Sequence, residues 1–182
     1  MTRNPIDGEV DAGPLAGVRV IDLSTTVLGP MATCVLGDMG ADGIKIEKPS
    51  GDTQRQVGPH RSPGMGPFFM NLNRSKRSVV LDLKKPKGVE ALWRLVDTAD
   101  VFVHNMRRTA AARLGCSYSE VSARNPRIIY AAGTGYRRDG PRRDLAAYDD
   151  MIQGESGVAA LNRGADGAPR YFPMTFADKY VG

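Results

Sequence analysis

Five short runs rich in β-branched residues recur along this chain, separated by stretches patterned for helices. The runs are residues 18–22, 44–47, 78–82, 101–104 and 127–131. Runs this short, bounded by Gly, Pro and polar residues, read as strands. After the first, Gly29-Pro30 opens a helix that continues to Met39, because proline fits a first helical turn, and Gly40 ends it. Pro86 opens another, in which Val89, Leu92, Trp93 and Val96 fall at helical spacing. Shorter helices are expected over 109–114 and 118–124. Strands alternating with helices imply right-handed crossovers, and so an α/β domain with an open, mostly parallel sheet flanked by helices. Residues 1–13 are polar and rich in turn formers and are expected to be a flexible N-terminal arm. Residues 14–182 are expected to form the domain, with 48–67 as an excursion over the sheet.

In such a sheet, ligands sit outside the carboxyl ends of the strands. The loops there begin after Asp22, Glu47, Asp82, His104 and Ala131. Three of them, 24–30, 105–109 and 133–136, carry the polar, Gly or Asn residues of a binding rim. A chain of 182 residues, 41% hydrophobic and 25% charged, can bury a core as one domain. No apolar run approaches the roughly 20 residues that cross a bilayer, and the N-terminus lacks a signal-peptide core, so the cytoplasm is expected and a membrane is not. Cys34 and Cys116 are far apart in sequence and read as idle or buried thiols.

The net charge of +5 is unevenly placed: residues 103–143 hold nine arginines against two acids, Glu120 and Asp139. This is either a solvated basic face or a site for a polyanion. No helix-turn-helix, zinc-finger or RNP pattern is present and aromatics make up 7%, which makes nucleic acid the weaker polyanion beside a phosphorylated cofactor and leaves the solvated face open. The two histidines, His60 and His104, stand in separate contexts without metal-ligand spacing, so no metal is expected. Gly154-Glu-Ser-Gly157 lacks the spacing of a nucleophile elbow. Candidate acids are Asp82, Asp100, Asp144, Asp149, Asp150 and Asp178, most of which read as caps and surface groups. A carboxylate, with an ordinary pKa of about 4, is already ionised at neutral pH and can attack without a histidine base.

Four stretches together resemble one family. Pro14-Leu-Ala-Gly-Val-Arg-Val-Ile-Asp-Leu-Ser24 opens the chain, and Gly40-Ala-Asp-Gly-Ile-Lys-Ile-Glu47 and Asn73-Arg-Ser-Lys-Arg-Ser78 follow. Pro173-Met-Thr-Phe-Ala-Asp-Lys-Tyr-Val-Gly182 ends it. They are similar to the class III CoA-transferases, the formyl-CoA and carnitine CoA-transferase group, over roughly the first half of a family chain. The resemblance implies a Rossmann-like fold that is the incomplete large domain of such an enzyme, homodimeric at full length. It implies no permanently bound cofactor, with coenzyme A or acyl-CoA as substrate and a carboxylic acid as the second partner. Asp178 falls on the family's catalytic aspartate. Thr26 and Val27 match backbone near the pantetheine, Lys48 a basic position on a CoA phosphate, and Leu72 and Lys76 the area flanking the adenine. Asn105 and Met106 match an Asn-Phe pair, Arg113 a phosphate-contacting arginine, and Thr134, Gly135 and Tyr136 the turn over the thioester arm.

The implied mechanism is CoA transfer between carboxylic acids through a covalent aspartyl intermediate. The family draws part of its oxyanion environment from a glycine-rich loop in its other half, so little turnover is expected from this half alone. Two alternatives stand beside transfer. One is a 2-methylacyl-CoA racemase, whose Gly-His-Asp stretch reads Ala147-Tyr148-Asp149 here; a phenol with pKa about 10 is a poor base at pH 7. The other is an inactive CoA-binding or interaction fragment. Gly43 replaces the family's usual valine and is expected to loosen its strand, Met106 replaces an aromatic, and Arg137-Arg138 stand where many members have Gly and a polar residue.

Overall fold

The computed structural model describes residues 13–182, so the expected arm lies outside the described residues except for Gly13. The strands are β1 (Arg19–Asp22), β2 (Asp42–Glu47), β3 (Lys76–Val80), β4 (Val101–His104) and β5 (Ile129–Ala132). They pair only in parallel, in the order β3-β2-β1-β4-β5. The helices are α1 (Leu28–Asp38), α2 (Pro67–Leu72), α3 (Pro86–Val96), α4 (Arg108–Arg113), α5 (Tyr118–Arg124), α6 (Asp149–Glu155), α7 (Val158–Leu161) and α8 (Phe176–Val181). The chain builds outward from β1 to β3, then returns to the other side of β1 for β4. The topological switch therefore falls between β1 and β4, where a crevice opens beyond the strand ends.

Side chains alternate across the sheet. Ile21, Ile44, Ile46 and Phe102 point to one face and pack with Leu92 and Val96 of α3 and Val121 of α5. Several of these are wholly buried, each contributing about 1.5–3 kcal/mol. Pro86 begins α3, which turns Leu92 and Val96 inward while Glu90 and Arg94 pair at 2.6 Å on its exposed side. A capping box between Ser117 and Glu120 starts α5.

The opposite face, under α1, has a small apolar cluster of Val20, Ala41 and Val103. Buried charge occupies the rest. Asp22 accepts from the Ser24 amide (2.8 Å), the Ser24 hydroxyl, the Thr33 hydroxyl (2.7 Å) and the Lys76 ammonium (3.0 Å). Lys45 reaches the Ser24 carbonyl at 2.9 Å and pairs with Asp52 at 3.0 Å. Glu47 takes Arg55 at 2.7 and 2.6 Å, Ser78 at 2.6 Å and the Asp52 amide at 3.0 Å. Burial alone would raise the Glu47 carboxyl; these donors overcome it and hold it at about 2. The lysine and glutamate of the Ile-Lys-Ile-Glu stretch thus fasten residues 48–57 over the sheet, while its isoleucines fill the other core.

Three strands start two residues away from the positions expected from the sequence; one of them, β5, begins at Ile129 rather than 127. β2 begins at Asp42 rather than 44 and runs unbroken through Gly43. A Cβ there would lie 3.3 Å from Lys76 Cγ, so Gly43 is where the lysine stem crosses the strand. β3 spans 76–80 rather than 78–82, because Lys76 is drawn inward to Asp22. Helices α2, α6, α7 and α8 were not expected from the sequence.

Candidate functional site

The loops leaving β1 and β4 are tied across the switch point by one side chain. Asn105 accepts the Thr25 N–H at 2.9 Å and donates to the Thr25 carbonyl at 2.7 Å. Next to this clamp Thr26 adopts φ 72°, left-handed backbone that a β-branched residue rarely enters. Such strain costs about 1–3 kcal/mol and persists only where surroundings over-determine it. Asn105 and the entry to α1 supply that constraint.

A second clamp sets the neighbouring residue. Burial pushes the Tyr130 phenol up to about 12, and it donates to the Cys116 carbonyl at 2.7 Å. Its oxygen must then accept from His104 Nε2, 2.6 Å away, so His104 Nδ1 is free to accept the Met106 N–H at 3.1 Å. Burial holds His104 at about 4, neutral in this tautomer. The unfolded chain takes up a proton near pH 6.5 and the folded chain resists until about 4. The contribution, roughly 3 kcal/mol, is complete above pH 6.5 and is lost as pH falls toward 4. Urea unfolding between pH 7 and 4 should therefore show a steeper loss in the native chain than in His104→Asn; equal slopes would show that this histidine is not held neutral.

Two cavities open on this rim. One, of about 500 Å³, lies beyond β1, β2 and β3, and its wall includes Lys48, Ser50, Leu83 and Lys84. The other, of about 380 Å³, lies between the β1, β4 and β5 loops and helices α6 and α8, and holds Asp178. Thr25 and Met106 line both, so Met106 is part of the wall between them.

The second cavity gathers Thr26, Val27, Asn105, Met106, Thr134, Gly135, Tyr136 and Asp178. Gly135 permits the closure: a Cβ there would lie 2.0 Å from the Ala147 Cβ. Lys48 lies on the first cavity. Leu72 and Lys76 reach neither. Leu72 is buried in α2, and the Lys76 ammonium is sealed on Asp22, the Pro30 carbonyl and Asn73. Arg113 lines neither; its Nε donates to the Thr109 carbonyl at 3.3 Å. Neither His60 nor His104 lines the Asp178 cavity, and Tyr148 does. Among the described residues no group of three or more His, Cys, Asp or Glu is placed to hold a metal, and no helix is long and apolar enough to cross a membrane.

Asp178 is half-buried in the first turn of α8. Its pKa is raised, first by burial and then by the neighbouring Asp149. Among the described residues no donor reaches its carboxylate, whereas its backbone N–H donates to Asp149 at 2.9 Å. Sequence reasoning missed Thr25, Lys84, and the part played by Asp149 and Gln153. An Asp and a Gln four residues apart, one turn of helix, was the available signal for the last two.

A parallel sheet with its crevice at the β1/β4 switch point, Lys48 and Lys84 on one cavity and the Asp178 carboxylate on the other, defines a doubly wound α/β domain. The chain belongs to CoA-transferase family III, whose family model matches residues 15–182. It is 40% identical over 176 residues to a succinate–glutarate CoA-transferase of Agrobacterium fabrum, covering 93% of this chain and 44% of that one. It is 36% identical over 157 residues to the human succinyl-CoA:glutarate CoA-transferase, covering 86% and 36%. The crystal structure of a CaiB/BaiF family protein from Brucella suis superposes with a TM-score of 0.87 at 37% identity, covering 92% of this chain and 45% of that one. The chain thus spans less than half the length of these relatives.

Proposed function

We propose that the two cavities hold one acyl-CoA, and that Asp178 carries the CoA between carboxylic acids as a covalent aspartyl thioester. One observation carries this reading. The cavities meet at Thr25 and Met106; one has Lys48 and Lys84 in its wall beside Asp82 and the ion-paired Glu47 and Asp52. The other holds Asp178, whose carboxylate no donor among the described residues reaches, with Arg107 and Arg143. CoA is long enough to need both, with phosphates at one end and a thioester at the other. Lys48 and Lys84 meet the phosphates, the β1, β4 and β5 loops line the pantetheine, and the thioester carbonyl sits beside Asp178. The names of the relatives agree with this reading, since they transfer CoA between acids.

Calorimetry on this chain with CoA, dephospho-CoA and pantetheine tests the binding half. Charge-assisted hydrogen bonds to phosphate are worth about 1.5–3 kcal/mol each, so CoA should bind at least about tenfold more tightly than pantetheine. Lys48→Ala with Lys84→Ala should remove most of that difference. Equal affinity for all three ligands would show that these lysines read no phosphate.

A further inference from the structure

We infer that Asp149 is a positioning residue for Asp178, and that with Gln153 it makes helix α6 the jig that sets the nucleophile. The inference rests on the proposed role of Asp178. Both Asp149 oxygens are committed: Oδ1 accepts the Asp178 N–H at 2.9 Å and Oδ2 accepts Gln153 Nε2 at 2.6 Å. Gln153 is 2% exposed. Its Oε1 accepts the Phe172 N–H at 2.8 Å, and its Nε2 also reaches the Met174 carbonyl at 3.3 Å. Two side chains one helical turn apart thus grip the segment leading into α8 at three backbone points, the last being the reactive residue itself. Three of these four bonds go to backbone, so the Asp178 side chain is fixed at its root while no donor among the described residues reaches its own oxygens. A carboxylate stripped of donors keeps its charge concentrated and its lone pairs available for attack.

The same placement sets the local charge. Asp149 is the acid that faces Asp178 from α6, with Asp150 beside it in sequence bonded to the Met151 amide. Across the cavity stand Arg107, Arg143, Tyr136 and Tyr148, and α8 itself carries Lys179 and Tyr180. Helix α1, against which α8 packs, has one charged residue, Asp38, at its far end. Burial and Asp149 together raise the Asp178 pKa, and a more basic carboxylate that is still ionised at neutral pH is the better nucleophile.

The test is Asp149→Asn, which keeps the size, removes the charge, and turns an amide donor toward the Gln153 donor. Carbon-detected NMR titration of the Asp178 carboxyl in this chain should show its midpoint fall to lower pH in the variant. In a protein of the relatives' full length containing this segment, kcat should fall by about ten- to a hundredfold, with KM for acyl-CoA within about twofold and the acid limb of kcat/KM displaced to lower pH. CoA affinity by calorimetry should be unchanged, which separates mispositioning from failure to fold. An unmoved Asp178 midpoint, or a kcat equal to that of the native protein, would overturn the inference. If the native protein forms no acyl adduct on Asp178, the transfer reading fails, whereas the NMR midpoint still decides whether Asp149 governs this carboxylate.

Discussion

Replacing Asp178 by alanine is expected to abolish CoA transfer in a protein of full family length that contains this segment. In the proposed chemistry the Asp178 carboxylate attacks the thioester carbonyl, the C–S bond breaks, and CoA leaves as thiolate from a mixed anhydride. The thiolate then attacks the Asp178 carbonyl carbon, giving an aspartyl-CoA thioester and releasing the first acid as carboxylate. A second acid repeats the steps in reverse. No other acid among the described residues lines that cavity, so nothing replaces the lost oxygen. Loss of a nucleophile that acts in every step costs on the order of 10⁴-fold or more. Asp178→Asn keeps the shape but lacks the charged oxygen, and should fail equally at the anhydride step. Incubation with acyl-CoA followed by hydroxylamine should label this residue in peptide mass mapping. A label elsewhere, or full activity in the alanine variant, would sink the assignment.

The largest expected effect on stability lies beneath the site, at Asp22. Asp22→Ala leaves the Lys76 ammonium, 1% exposed as a side chain, without its anion. Burial already lowers the Lys76 pKa, with Asp22 opposing. Without Asp22 the lysine must either lose its proton or remain as an unpaired buried charge. Breaking one side of a buried pair costs about 3–5 kcal/mol, a large share of the 5–15 kcal/mol typical of a domain. Asp22→Ala combined with Lys76→Met should recover part of the loss, because the stranded charge is then gone. Urea unfolding of the three variants measures both effects. A single variant within about 1 kcal/mol of the native chain, or a double variant less stable than the single, would show that the pair does not hold this face together.

Strands β1 and β4 were legible because their β-branched residues are buried on both faces and leave an apolar signature. β3 begins two residues before the run that its pattern predicts. Lys76 and Arg77 look like surface chain in a sequence, and nothing local announces that one of them crosses under the neighbouring strand to a carboxylate 54 positions earlier. Resemblance places Lys76 and Leu72 near the adenine; in the structure both side chains turn inward. Helices α6 to α8 span 7, 4 and 6 residues, too few to show a clear period, and much of their apolar surface is open: Leu161 in α7 is 86% exposed and Tyr180 in α8 75%. They are held by polar grips such as Gln153 on Phe172 and by the stacked rings of Phe172, Phe176 and Tyr180. Asp178 itself was found through resemblance. That Thr26, Val27, Asn105, Met106, Thr134, Gly135 and Tyr136 share its cavity follows from the placement of three strand ends.

On the proposed function, the shared wall at Thr25 and Met106 would divide labour between two sets of loops. The carrier end would be read by the segments after β2 and β3, the reacting end by those after β4 and β5 together with α6 and α8. Substitutions on one set need not disturb the other. A lineage built on this plan can therefore change the acid it handles while its hold on the common carrier stays constant, and can retune that hold without touching the chemistry.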